Sequence, residues 1–332
     1  MRSRISSENI MKYNYVFLWP NSDYYCVSYG DIESFDGAIF PHRRIESDSR
    51  LLTNLYRLHT SPKTNRLFKL PFQRLWNPLA FRGGFSDDKP ICFIFHPGSP
   101  WLRNGIIEYL RRSYPNCRVV IHFTDLVRHA YPKQVDELIR KADLCLSFDH
   151  ADTKQYGMEY YPLVYSPCNI PEDDGIAESD VYFVGEVKNR LPMILAAYEK
   201  LRDAGLKCEF YITGVAPEDQ KYADEIHYCG QMSYVENLKH IKKTKCLLEI
   251  MQQGGHGYTL RACETIMYDK KMITNNPEIS GAPFYRSELI SVFDDVEDID
   301  PSFVTAEPAV ADYGWKEQLS PVRLLEYIDG RL

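Results

Sequence analysis

Residues 246–276 read CLLEIMQQGGHGYTLRACETIMYDKKMITNN, and they decide how the rest of the chain is interpreted. An apolar run opens the stretch, a glycine-rich segment follows, and a helical pattern begins at Tyr258 or Thr259. A second apolar run, 271–274, closes it. A buried strand, a glycine turn and a helix start, in this order, present free backbone N–H groups to a phosphate. The stretch therefore predicts a nucleotide site.

Glycines and one acid within this stretch are the first candidate contacts. Gly254, Gly255 and Gly257 suit a turn that needs positive φ and a close approach of the backbone to a phosphate. Glu264, about two turns into the helix, offers two acceptor oxygens, which match the two hydroxyls of a ribose. The alternative for Glu264 is a helix-face acid paired with Lys270 or Lys271. The residues alone leave both open.

Three basic side chains are candidates for a phosphate contact. Arg190 and Lys188 follow the end of a predicted strand, and a guanidinium group binds phosphate oxygens through two parallel hydrogen bonds. Arg261 lies on the helix of the opening stretch. It either clamps phosphate or pairs with Glu249 or Glu264. Stabilising a departing diphosphate is the main electrostatic demand when a nucleotide leaves, so Arg190 is the stronger catalytic candidate.

Length and charge limit the functional classes. A chain of 332 residues suits two domains of about 150 residues each. The net charge of −7 and the pI near 5.8 argue against a nucleic-acid binder, because neutralising phosphates needs a basic surface. We therefore expect no nucleic-acid partner.

Cysteine usage and hydropathy indicate the compartment. The nine cysteines include no C-x-x-C pair, which is typical of reduced thiols in the cytosol. Residues 1–10 are polar, and no apolar run reaches the roughly 18 residues that a membrane span needs. The expected location is cytoplasmic, either in solution or peripheral on the inner face of the membrane.

Strand-like and helix-like segments alternate through both halves of the chain, which predicts parallel sheets covered on both faces. The stretch 167–175 has the proline, glycine and acid content of a hinge. We predict an α/β fold with two Rossmann-like domains, 1–172 and 173–332, that face each other across a cleft. We also expect the last helix, about 321–327, to pack back on the first domain. Predicted strands cover 13–19, 91–95, 118–123, 144–148, 160–165, 181–184, 208–213, 246–251, 272–274 and 290–293, and predicted helices cover 101–114, 133–142, 191–204, 238–243 and 259–268.

The segment 256–264, HGYTLRACE, resembles the E-G-F-G-x-x-x-x-E signature of GT-B glycosyltransferases. His256 stands where that family has its first glutamate. Two further segments are similar to the family: 182–190 resembles its F-x-G-x-x-x-x-R/K entry, and 228–236 its G-x-x-x-Y-x-E segment. The T-x-R-x-x-E form of 259–264 resembles spore-maturation and polysaccharide-biosynthesis glycosyltransferases. The first half matches only loosely.

The resemblance implies a donor half and an acceptor half. The second half would bind a nucleoside diphosphate sugar, and the first half a glycan or lipid-linked glycan acceptor of cell-surface polysaccharide synthesis. No metal and no cofactor beyond the donor is implied. The donor-binding residues implied are Gly185, Lys188, Arg190, Gly255, Gly257, Tyr258, Thr259, Leu260, Arg261 and Glu264.

Catalytic residues depend on the stereochemistry, which the sequence leaves open. A retaining reaction, as the E-x7-E relatives suggest, needs no dedicated base. An inverting reaction needs one of His96, His122 or Asp125, which lie at predicted strand ends. His256 is also a catalytic candidate, and an imidazole in place of a carboxylate is expected to change the choice of donor sugar.

The segment 43–82 differs in composition from its surroundings. Its apolar stripe at Leu51, Leu52, Leu55 and Leu58 predicts an amphipathic helix, and aromatic residues are interleaved with it. This mixture suits the surface of an anionic membrane, where a lipid-linked acceptor would lie. The alternative is a solvated charged face beside an ordinary core helix. The segment contains two acids, Glu46 and Asp48, and nine basic residues: Arg43, Arg44, Arg50, Arg57, Lys63, Arg66, Lys69, Arg74 and Arg82.

Other nucleotide-site classes lack a required residue. A dehydrogenase would have an acid about 20 residues after its glycines, where this chain has Asn275 and Asn276. The one D-x-D, Asp298-Ile-Asp300, lies in an acidic stretch typical of a surface and does not suit a metal-dependent GT-A site. A non-catalytic binding subunit remains the alternative. The substitution at His256 favours that alternative, and Arg190 and Glu264 count against it.

Overall fold

The computed structural model describes residues 11–20, 22–40, 49–61, 64, 71–102, 105–127, 135–170, 175–252, 254–308 and 312–332. Within them the chain forms two sheets of six parallel strands. The strands are β1 Asn14–Leu18, β2 Ala38–Ile39, β3 Ile91–Phe95, β4 Arg118–Phe123, β5 Leu144–Ser147, β6 Glu159–Tyr160, β7 Ser179–Glu186, β8 Cys208–Thr213, β9 His227–Tyr228, β10 Thr244–Glu249, β11 Lys271–Thr274 and β12 Ile290–Val292. The order is β2-β1-β3-β4-β5-β6 in the first sheet and β12-β11-β10-β7-β8-β9 in the second.

Helices connect the strands and cover both sheets. Two of their starts are explained by side-chain caps: Ser233 and Thr259 accept hydrogen bonds from backbone N–H groups of the first turn. The described helices are α1 Asp23–Ser28, α2 Arg50–Thr60, α3 Ile106–Ser113, α4 Val135–Lys141, α5 His150–Tyr156, α6 Leu191–Asp203, α7 Tyr234–Lys243, α8 Leu260–Met267, α9 Ser302–Thr305 and α10 Pro321–Arg331. The predicted α/β class with two Rossmann-like units is confirmed.

Two predicted elements are too long by several residues, and the helix predicted over 238–243 is too short, since it begins at Tyr234. The helix predicted over 101–114 begins only at Ile106, because Gly105 before it has φ of 71° and lies in the left-handed region. The strand predicted over 160–165 ends at Tyr160, and the buried residues that follow are irregular. Part of the predicted hinge, 171–174, lies outside the described residues.

The last helix belongs to the core of the first sheet. Val322, Leu325 and Ile328 of α10 are buried in one cluster with residues of β1. The hydroxyl of Tyr15 in β1 also donates to the backbone oxygen of Leu325, at 3.3 Å. The chain therefore returns to the first sheet after it has completed the second, as expected for the last helix.

The two sheets meet near the carboxyl ends of their strands. Asp149, which follows β5, accepts a hydrogen bond from the backbone N–H of His256, at 2.8 Å. Tyr165 and Tyr234 form a second bridge through their hydroxyl groups, also at 2.8 Å. In open parallel sheets ligands bind outside the carboxyl ends of the strands. The contacts therefore place the candidate site between the two sheets.

Candidate functional site

The glycine-rich loop 254–257 touches the first half of the chain. Gly257 has φ of 92°, and a Cβ atom added there would lie 2.3 Å from the backbone oxygen of Phe148. Gly254 also has positive φ, at 77°. The predicted positive φ is therefore present at Gly254 and Gly257 but not at Gly255, and only glycine fits at 257. The backbone that approaches this glycine closely is that of Phe148.

Two N–H groups of the loop bind carboxylates. The backbone N–H of His256 donates to Asp149 Oδ2, and that of Gly257 donates to Glu278 Oε2, both at 2.8 Å. The N–H groups of Tyr258, Thr259 and Leu260 have no hydrogen-bond partner among the described residues. These three N–H groups, at the start of α8, are therefore available to bind an anion.

A polar network behind the loop fixes its shape. Glu249, at the end of β10, accepts hydrogen bonds from the hydroxyls of Thr259 and Thr274. The amide of Asn276, which is buried, donates to the backbone oxygen of Gly257 at 2.9 Å. The loop is thus held by the strand end that follows it in sequence. Asp149 lies at a strand end, which is the signal that marks such positions. We did not predict Asn276 or Glu278 as site residues, although both lie within four residues of the end of β11.

Arg190 lies at the carboxyl end of β7, against the loop that leaves β10. Its guanidinium group donates to the backbone oxygens of Ile250 and, at 3.0 Å, of Glu186. A Cβ atom at Gly185 would lie 3.0 Å from Arg190 Nη2, so the glycine leaves room for the guanidinium group. Burial lowers the pKa of Arg190. Arg261 Nη2 donates to the backbone oxygen of the residue before Gly185, at 3.3 Å, so the two predicted arginines lie against neighbouring residues of β7.

Lys188 lies on the same turn. This residue has φ of 43°, and its ammonium group donates to Gln252 Oε1 at 2.8 Å. The contact joins the turn after β7 to the start of the glycine-rich loop. Lys188 is exposed, so its charge is accessible from the cleft.

Glu264 is buried, and its carboxylate accepts hydrogen bonds from three side chains. Oε1 accepts from the Tyr234 hydroxyl at 2.8 Å and from Asn237 Nδ2 at 3.1 Å, and Oε2 accepts from Arg261 Nη1 at 2.6 Å. Only 1% of Glu264 is exposed, and burial raises its pKa although Arg261 opposes the shift. Of the alternatives for Arg261, pairing with Glu264 is confirmed.

The alternative pairing of Glu264 with Lys270 or Lys271 is wrong. The ammonium group of Lys270 donates to the backbone oxygens of Lys242 and Thr244, at 2.9 and 2.7 Å. That of Lys271 donates to backbone oxygens after α9 and within it. Both lysines therefore bind main-chain carbonyl groups and do not pair with Glu264.

The remaining predicted donor contacts pack at the start of α8. The ring of Tyr258 meets the ring of Phe284 edge to face, with centroids 5.0 Å apart. Leu260 is half-buried against the core of the second sheet. The acids Asp298 and Asp300 are exposed, as predicted for that acidic stretch.

Comparisons with known proteins find similarity in structure. No protein-family model and no curated protein sequence matches the chain. A UDP-forming α,α-trehalose-phosphate synthase from Burkholderia xenovorans has a TM-score of 0.55 at 10% identity, an apo structure of OtsA has 0.53 at 12%, and the apo lipopolysaccharide outer core galactosyltransferase WaaB has 0.51 at 12%. Each match covers 96% of this chain and 98% of the other. The fold is GT-B.

On the first-sheet side of the GT-B cleft, two histidines differ from the prediction. His96 is buried, and its Nδ1 accepts the backbone N–H of Gly98 at 2.9 Å, so the lone pair that a base needs is already used. His122 lies within the core, where its Nδ1 contacts the Tyr29 hydroxyl at 3.4 Å. Neither histidine reaches the cleft, and the prediction that one of them acts as the base is not supported.

Asp125 is the predicted base that does reach the GT-B cleft. It follows β4 and is exposed, and its neighbour Leu126 faces Gly255 of the glycine-rich loop. Desolvation by the surrounding protein atoms raises the pKa of the Asp125 carboxyl group, and the positive charge of Lys188 opposes this shift. A carboxylate with a raised pKa is a better proton acceptor near neutral pH.

The two buried histidines predict acid sensitivity. Burial lowers the pKa of His96 and of His122 to about 3, and the positive charge of His122 contributes to the shift at His96. Below pH 6.5 the unfolded chain binds protons that the folded chain does not, so stability falls as pH falls from 6.5 towards 3. Between pH 6.5 and 5 the loss is about 2 kcal/mol for each histidine.

Urea unfolding as a function of pH measures this loss. His122→Phe should reduce the loss of stability between pH 6.5 and 5 by about half, since one of the two protonation sites is removed. The matched control for the loss of an imidazole is the exposed His150, replaced by glutamine. An unchanged pH dependence in His122→Phe would contradict the assignment.

Proposed function

We propose that this chain is a metal-independent glycosyltransferase that moves a sugar from a nucleoside diphosphate sugar to a hydroxyl of a glycan or lipid-linked glycan in cell-surface polysaccharide synthesis. The donor is its only small-molecule requirement, and no cofactor is involved. The main support is the cluster at the carboxyl edge of the second sheet, where Arg190 and Arg261 contact neighbouring residues at the end of β7, near the start of α8. Structures that share the fold include a galactosyltransferase and a trehalose-phosphate synthase, which also supports the proposal.

In the proposed reaction the second half binds the donor diphosphate. The N–H groups of Tyr258, Thr259 and Leu260 and the guanidinium group of Arg190 stabilise the negative charge that develops as the diphosphate leaves. Lys188 adds a positive charge from the turn after β7. If the configuration at the anomeric carbon is inverted, Asp125 takes the proton of the acceptor hydroxyl. If it is retained, the leaving phosphate takes that proton.

Titration with a panel of nucleotide sugars tests the proposal. Thermal unfolding should show stabilisation by at least one nucleoside diphosphate sugar, and prolonged incubation with that donor should show slow hydrolysis. No stabilisation by any nucleotide would exclude the enzyme. The panel also identifies the base and the sugar of the donor.

The alternative is a binding subunit that kept the GT-B fold without catalysis. Two observations favour it: Asp149 and Glu278 occupy two N–H groups of the glycine-rich loop, and the oxygens of Glu264 are taken by internal donors. A diphosphate would have to displace the carboxylates of Asp149 and Glu278 from these N–H groups. Tight nucleotide binding without hydrolysis and without transfer to any glycan acceptor would favour this alternative.

For the lipid-linked acceptor we propose contact with an anionic membrane through α2 and residues 71–76. Among the described residues, six of the seven exposed large apolar side chains lie here: Leu51, Leu52, Leu55, Leu58, Phe72 and Leu75. Tyr56, beside the leucine stripe of α2, is buried against Trp76 and Trp101. The helix thus turns its leucines outward, which is unfavourable in water.

The charge of this surface favours anionic lipid over an apolar protein partner. Arg50, Arg57, Arg74 and Arg82 are exposed, and the described residues 49–61 and 71–82 contain no acid. The other basic residues of the segment, Arg43, Arg44, Lys63, Arg66 and Lys69, lie outside the described residues. No helix among the described residues combines the length and the apolar character needed to cross a bilayer. The proposed contact is therefore interfacial.

Vesicle flotation tests the contact. The protein should float with vesicles that contain phosphatidylglycerol and much less with vesicles of phosphatidylcholine alone. The double variant Leu51→Glu, Leu55→Glu should bind at least about tenfold more weakly, because two apolar contacts are lost and two negative charges are gained. Val235, the seventh exposed apolar residue, provides the control as Val235→Glu. Equal flotation of the double variant and the wild type would contradict the proposal.

A further inference from the structure

Glu278 holds His256 by its side chain. Its Oε1 lies 2.9 Å from His256 Nδ1, and its Oε2 accepts the backbone N–H of Gly257 at 2.8 Å. Glu278 is itself held at the start of a short 3₁₀ helix, Pro277–Gly281, where its N–H donates to Asn276 Oδ1 at 3.2 Å. One carboxylate therefore fixes both the side chain of His256 and the loop that carries it.

This contact determines which nitrogen of His256 carries the proton. An ionised carboxylate only accepts hydrogen bonds, so Nδ1 must donate. In the neutral imidazole Nε2 then has the lone pair. Nε2 has no hydrogen-bond partner among the described residues, and 48% of the side chain is exposed. The main chain of His256 is held by Asp149 at the same time, so this acceptor atom has a fixed position.

We propose that Glu278 is a positioning residue that keeps His256 in the Nδ1–H tautomer, so that Nε2 accepts a hydrogen bond from a hydroxyl of the donor sugar. This rests on the proposed function. A neutral acceptor serves here better than a second carboxylate, because Glu278 already places one negative charge beside the loop that would receive a diphosphate. A site that accepts from a hydroxyl discriminates against a donor in which that hydroxyl is missing.

Glu278→Gln is the informative substitution. The backbone N–H of Gly257 can only donate, so it takes the side-chain oxygen of the new glutamine. The amide nitrogen of the glutamine then faces His256 Nδ1 and donates to it. The tautomer is reversed, and Nε2 becomes a donor, while the number of hydrogen bonds stays the same. A purely structural role of Glu278 would therefore be little affected.

Nitrogen-15 NMR of the histidine side chains in the full chain at pH 8.5 tests the tautomer directly. The resonances of His256 are identified by their loss in His256→Gln. The wild type should show protonated Nδ1, and Glu278→Gln should show protonated Nε2. The exposed Glu288 provides the control, and Glu288→Gln should show the wild-type tautomer. Protonated Nε2 in the wild type would overturn the inference without affecting the proposed function.

Kinetics with the donor found by the panel and its monodeoxyfluoro analogues test the ligand of Nε2, because a C–F group can accept a hydrogen bond but cannot donate one. In the wild type, where Nε2 only accepts, one fluoro analogue should have kcat/KM at least about tenfold below that of the parent donor. In Glu278→Gln the Nε2–H group can donate to a hydroxyl or to fluorine, so the ratio of the two kcat/KM values should move towards one. Equal discrimination in Glu278→Gln and the wild type would overturn the assignment. Failure of every nucleotide sugar to bind would instead exclude the proposed function, and with it the sugar as the ligand.

Discussion

Replacing Arg190 with alanine is expected to lower kcat for sugar transfer by about 100- to 1,000-fold. The guanidinium group is held by the backbone oxygens of Ile250 and Glu186, so it needs no reorganisation when charge develops on the leaving diphosphate. Because that charge is larger in the transition state than in the bound donor, the effect on kcat should exceed the effect on KM. Steady-state kinetics with the identified donor measure both.

Two variants complete this experiment. Arg190→Lys should recover only part of the lost rate, since an ammonium group cannot form two parallel hydrogen bonds with a phosphate. Arg286, an exposed arginine of the second half whose guanidinium group donates to the backbone oxygen of Tyr285, provides the control. Arg286→Ala should have wild-type kinetics. A normal kcat in Arg190→Ala, with the protein still folded, would place Arg190 in a structural role.

Replacing Glu264 with alanine is expected to lower the free energy of unfolding by about 3 to 5 kcal/mol. The change leaves the guanidinium group of Arg261 without its ion-pair partner, and it removes the acceptor of Tyr234 and Asn237 in a buried region. Such a loss is a large part of the stability of an ordinary domain. Urea unfolding measures it, and Glu288→Ala, at an exposed acid, should be nearly neutral.

Nucleotide affinity in the same variants separates two roles of Glu264. Glu264→Gln keeps an acceptor oxygen for Tyr234 and Asn237, so it should be less destabilising than alanine. Both variants should bind nucleotide more weakly if Glu264 shares its oxygens with a ribose. An unchanged affinity in folded Glu264→Gln would restrict Glu264 to holding Arg261 and α7 in place.

The fold could be predicted well from the sequence because its signals are local. Strands buried on both faces appear as short apolar runs, and the runs at 91–95 and 118–123 match β3 and β4 residue for residue. The helix over 101–114 was predicted too long because apolar spacing does not register the left-handed conformation of Gly105. The spacing of apolar residues does not specify the backbone conformation of a single residue such as Gly105.

The site was predicted in part, and the errors have a common physical cause. His96 and His122 were chosen because they lie at strand ends, but strand-end position does not determine whether a side chain points into the cleft or into the core. Asn276 was considered only as the place where a dehydrogenase would have an acid, whereas it binds the backbone of Gly257. The position of a residue along the chain therefore identified the region of the site, whereas the direction of its side chain decided its role.

The sequence by itself determined the glycine-rich loop, the helix that follows it and the arrangement of two parallel sheets, because backbone conformation and apolar periodicity depend on near neighbours. Only the tertiary structure decided which groups face that loop. Asp149 reaches His256 across 107 residues, and Glu278 reaches it across 22. Such contacts depend on how the two sheets and their connections pack, and packing is a property of the whole chain.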